Sequence, residues 1–96
     1  MLRPFVERKL TSVSKELRSL REELSALGEQ LQQVEDEAED ARLRSLVSET
    51  PLAVHEHREA SKAAAAVRRG WEAKQKRMLK LETKQDELLD QLSEAG

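Results

Sequence analysis

Apolar residues recur along this chain at intervals of three and four, in two separate runs. The first is Val6, Leu10, Val13, Leu17, Leu20, Leu24, Leu27, Leu31, Val34, Ala38 and Ala41. The second is Ala53, Ala60, Ala64, Val67, Trp71, Met78, Leu81, Leu88 and Leu92, with His57, Lys74 and Gln85 on the remaining positions of the same stripe. Alternating spacings of three and four put one apolar seam on an α-helix, the pattern of a coiled coil.

Between the runs the pattern falters. Ser45 and Ser48 take the next seam positions, and Ser48-Glu49-Thr50-Pro51 follows. Proline has no amide hydrogen and disfavours helical geometry in the residue before it, yet it fits the first turn of a new helix. Thr50 just ahead of it is a suitable N-cap. The spacing therefore predicts an all-α chain, a single helical hairpin over residues 1–96: one long helix over about 4–48, a turn near Ser48–Pro51, and a second over about 51–94, packed as an antiparallel coiled coil.

The two runs also predict their own register. If residue i faces residue 98 − i, Leu10 meets Leu88, Leu17 meets Leu81, Leu27 meets Trp71 and Ala38 meets Ala60, with no seam residue left over. The flanking charges are opposite in sign across the same register, Glu16 against Lys84, Glu23 against Arg77 and Arg44 against Glu56. Each such exposed pair contributes only about 0.2–1 kcal/mol, so they choose the register more than they stabilise it. A single kinked helix that dimerises with another chain is the competing arrangement, and it leaves this match unused. Three seam details carry further expectations. Lys74 should lay its stem along the leucines and place its ammonium in water. Gln85, opposite Val13, should help fix the register. Gly28 and Gly70, at the level of Trp71, should make room for the indole.

Composition narrows the function classes. Of 96 residues 38% are charged and 2% aromatic, which suits a coiled coil and leaves too few large side chains for a globular core. A net charge of −2 lacks the basic footprint that nucleic-acid binding needs. There is no apolar run of about 20 residues, the length of a membrane span. Glu7, Arg8 and Lys9 interrupt any leader-like apolar region, so a cytoplasmic location is expected. Cysteine is absent, which removes disulfides and thiolate metal sites. His55 and His57 are two apart and point to different helical faces, unlike the four-residue spacing of a zinc-binding helix. No catalytic, cofactor or metal residues are expected, and the chain is not expected to be an enzyme.

The informative residues are apolar ones off the seam. Leu2, Phe5 and Leu89 form a candidate partner-binding patch at the open end, and Leu43, Leu46, Val47, Leu52 and Val54 form another at the turn. The turn group could equally serve as a cap on the end of the core. Leu79 also falls outside the seam. Exposed apolar patches of this kind mark association sites. Two copies meeting at the open end as a four-helix bundle would be the simplest homodimer.

The hairpin and a run at its tip, Ser48-Glu49 followed by Val54-His55-Glu56-His57-Arg58-Glu59-Ala60, resemble the N-terminal hairpin of Gre-type transcript-cleavage factors. That resemblance implies a hairpin that enters RNA polymerase's secondary channel. Tips of that family pair an Asp with a Glu to hold magnesium, whereas Glu49 stands alone at this turn. The expectation is a coiled-coil protein–protein interaction module, a self-associating adaptor or scaffold. The alternative is a transcription regulator acting through its hairpin on RNA polymerase or a sigma factor.

Overall fold

A computed structural model describes the backbone of residues 2–95 and the side chains of residues 3–94. It holds two α-helices, α1 (Leu2–Ser48, 47 residues) and α2 (Pro51–Ala95, 45 residues), and no strand among the described residues. They pack against each other as the antiparallel hairpin that the periodicity predicts. Helix α1 starts ahead of Pro4 rather than at it. First-turn amides have no intrahelical acceptor, so a proline there removes no hydrogen bond.

Only Glu49 and Thr50 separate the helices. Glu49 has φ 50°, the left-handed region, and its N–H donates to the Ser45 carbonyl at 3.1 Å. This closes α1 in the manner usual for glycine, at a cost on the order of 1 kcal/mol for a residue with a Cβ. The Ala53 N–H donates to Thr50 Oγ1 at 3.1 Å, so Thr50 is the N-cap of α2 and Pro51 its first helical residue.

Packing divides the hairpin into two units, each made of both helices. The first takes α1 up to Leu24 and α2 from Lys74 onward; the second is Ser25–Ala73. In the first unit Val6, Val13, Leu17, Leu20 and Leu24 of α1 and Leu81 and Leu88 of α2 are buried, Leu17 completely. Two polar seam residues are absorbed locally. Gln85 Nε2 donates to Ser14 Oγ at 3.2 Å, and Lys74 Nζ reaches Glu23 Oε2 at 2.9 Å. Lys74 is half-buried on the seam, and its ammonium finds a carboxylate rather than water alone. That contact displaces the expected partners. With Glu23 engaged, Arg77 bonds Glu16 one heptad earlier at 2.8 Å, and Lys84 stands 4.0 Å from Glu87 of its own helix. Arg21 lies 3.9 Å from Glu82 across the same unit.

In the second unit the seam narrows toward the turn to small residues, Ala38, Ala41, Ser45, Ala53, Ala60 and Ala64, around His57. Leu31, Ala41 and Ala53 are buried, whereas Val34, Ala38, Ala60, Ala64, Val67 and Trp71 are half-buried. Arg68 Nη2 donates to Glu35 Oε1 at 2.6 Å across the helices. Arg44 and Glu56 do not form their expected ion pair. The small gain of an exposed pair does not offset the side-chain entropy of holding it. The glycines keep the predicted level but not the predicted reason. A Cβ added at Gly28 would lie 3.8 Å from Trp71 Nε1, and one at Gly70 would lie 3.9 Å from Leu27 Cδ2. Both are ordinary van der Waals distances, so seating the indole does not require either glycine.

Candidate interaction surfaces

The tip is where buried and exposed apolar residues part company. Ala41 and Ala53 are buried, Ser45 beside them is half-buried, and small side chains close the seam there. Leu46, Val47 and Leu52 are 61%, 86% and 66% exposed, and Leu43 and Val54 are also exposed. The idea that these residues cap the core is therefore incorrect. Seam geometry explains it: Leu43, Leu46 and Val47 sit on the face of α1 turned away from α2, where packing within the hairpin cannot reach them.

The open end is sparser. Phe5 and Leu89 are exposed, as is Leu79 farther along α2, while the side chain of Leu2 lies outside the described residues. A shallow open groove on α1 is lined by Pro4, Glu7, Arg8 and Thr11.

Charge around the tip is arranged by helix face. On α1 the outward stripe that ends in Leu43 carries Asp36 and Asp40, both exposed. Beside it, Arg42 donates Nε to Glu39 Oε2 at 2.9 Å and Nη2 to Glu39 Oε1 at 2.7 Å. This two-pronged hydrogen bond holds the Glu39 carboxyl below the usual carboxylate range, with the Arg42 and His57 charges adding to it. On α2, Val54, His57, Arg58, Ser61, Lys62 and Ala65 line a shallow open groove. His57 is a half-buried seam residue, as its spacing predicts, and His55 is exposed. Among the described residues, no three or more His, Asp and Glu side chains gather where they could hold a metal ion. No described helix is long and apolar enough to cross a membrane.

Sequence reasoning found the apolar residues of both patches but missed the opposed charge of the two tip faces. The signal was available in the outward heptad positions, where α1 carries carboxylates and α2 carries Arg58 and Lys62. No family model, no curated protein and no solved structure matches this chain.

Proposed function

We propose that this chain is a coiled-coil protein–protein interaction module, a small scaffold whose leucine-packed unit holds the hairpin closed while its tip engages another protein. One observation carries the reading: five large apolar side chains stay exposed within a dozen residues of sequence, around a seam that is already closed without them. Exposed apolar side chains gathered around one turn, beside charged neighbours, are what a protein-binding surface offers. On this reading the chain performs no chemistry of its own.

Site-directed photocrosslinking in the native cell tests it. A photoreactive residue at Val47 should give a discrete protein adduct, and the same probe at the exposed Ser19 should not. Leu46→Glu with Leu52→Glu should abolish the Val47 adduct while leaving helicity unchanged. Adducts at Phe5 or Leu89 with none at Val47 would contradict a tip-directed module.

A further inference from the structure

Within the unit formed by Ser25–Ala73, the outward face of α1 and the groove face of α2 are complementary to each other, although they do not meet within one hairpin. The α1 stripe runs Asp36, Asp40, Leu43, at spacings of four and three that keep the side chains on one side of the helix. The α2 groove has Val54 at its tip end, then Arg58 and Lys62 along its length. If α1 lies antiparallel against the α2 of another copy in the seam's own register, with i facing 98 − i, Asp36 falls opposite Lys62 and Asp40 opposite Arg58. Leu43 then lands beside Val54. A shift of one heptad would set Leu43 against Lys62 and leave Val54 without an apolar partner.

The charges in question are little used inside the hairpin. Asp40 and Arg58 have no ion-pair partner among the described residues. Asp36 accepts a hydrogen bond from Gln32 Nε2 at 3.1 Å, and Lys62 stands 3.5 Å from Glu59. Leu43 and Val54 are 48% and 42% exposed.

From this complementarity we infer that the tip docks a second copy of this chain, the α1 stripe of one hairpin lying in the α2 groove of the next with both tips at the same end. The inference rests on the interaction-module reading above and names the partner. The two surfaces differ, so the contact is heterologous. Each added copy leaves one stripe and one groove free, and association continues past the dimer. The interface is small and rimmed by charge, which puts it at the weak, salt-sensitive end of specific contacts.

Sedimentation velocity on the full chain tests this, across a concentration series reaching about 500 µM, suited to a weak contact. The average mass should rise beyond two chains and fall back when the salt concentration is raised. Asp36→Lys with Asp40→Lys gives two basic surfaces, and Arg58→Glu with Lys62→Glu gives two acidic ones, so each double variant alone should sediment as a monomer. An equimolar mixture of the two should associate again, because each supplies the surface the other lacks. Lysine and glutamate are good helix formers, and unchanged circular dichroism would show that both variants fold. An unmutated chain that stays monomeric throughout would overturn the inference, as would a mixture that stays monomeric. If both variants associate as the parent does, the contact lies elsewhere, and the inference is again wrong. In all three cases a surviving Val47 crosslink to a different protein would leave the interaction-module reading standing.

Discussion

The two units of the hairpin share one heptad pattern and differ in what fills it. Among its described residues, the unit that includes Leu17 and Leu81 buries seven apolar side chains, five of them leucines, and ties its two helices with Lys74–Glu23, Arg77–Glu16 and the Gln85–Ser14 hydrogen bond. The unit that includes the turn buries Leu31, Ala41 and Ala53, and one ion pair, Arg68–Glu35, crosses between its helices. A buried leucine removes far more apolar surface from water than a buried alanine, at roughly 1.5–3 kcal/mol for a fully buried large side chain. Large apolar residues are not scarce in the turn unit. They lie on its outside, at Leu43, Leu46, Val47, Leu52 and Val54. The first unit thus uses most of its leucines in its seam, leaving Leu79 and Leu89 outside, whereas the turn unit leaves most of its leucines for something else to cover.

The largest expected effect tests the leucine-packed unit. Leu17→Ala should destabilise the hairpin by about 2–4 kcal/mol in chemical denaturation, because a fully buried side chain leaves a cavity. Leu43→Ala, on the exposed face of the turn unit, should cost less than about 0.5 kcal/mol in the monomer. Comparable losses at the two positions would mean that the tip leucines pack after all, within an assembly or against the chain itself, and the contrast would fail.

A smaller effect of opposite sign is expected at the glycines. Gly28→Ala should stabilise the hairpin by about 0.5–1 kcal/mol, since alanine is the better helix former and its methyl meets Trp71 at an ordinary distance. A neutral or destabilising result in thermal unfolding would show that the indole needs the space. Smallest of all is the cross-helix ion pair. A double-mutant cycle on Glu16 and Arg77, both about half exposed, should give a coupling of about 0.2–0.5 kcal/mol that fades at high salt. The cycle on Glu23 and Arg77, the pairing expected from heptad position alone, should give none.

That last contrast shows how far the sequence could be read. Spacing alone identified the seam: each of the ten buried apolar residues among those described was expected on it, from Val6 to Leu88. Periodicity works here because burial in a two-helix fold depends almost wholly on helical phase. The turn was legible for a similar reason, since Thr50 and Pro51 act through local backbone chemistry. Ion-pair partners were not, because each long side chain chooses among several acceptors within reach, and Lys74 took the one assigned to Arg77. The glycines misled because two absent side chains beside an indole suggested crowding that only distances could deny. At the tip, the exposed apolar residues could be recognised as lying off the seam. The opposed charges of Asp40 and Arg58 were also present in the outward heptad positions, but periodicity ranks burial and does not by itself pair two exposed faces.

Residue-resolved amide hydrogen exchange on the dilute monomer tests the contrast between the two units most directly, because it reads the opening free energy of each hydrogen-bonded turn. The account predicts that amides over about 13–24 and 78–88, in the middle of the leucine-packed stretches, are the most protected and exchange only on global unfolding. Amides over about 34–46 and 53–64 should exchange through a smaller local opening, well inside the helices and well short of global unfolding. Equal protection across both units, or greater protection at the turn, would contradict the claim that the alanine seam leaves the tip the weaker half.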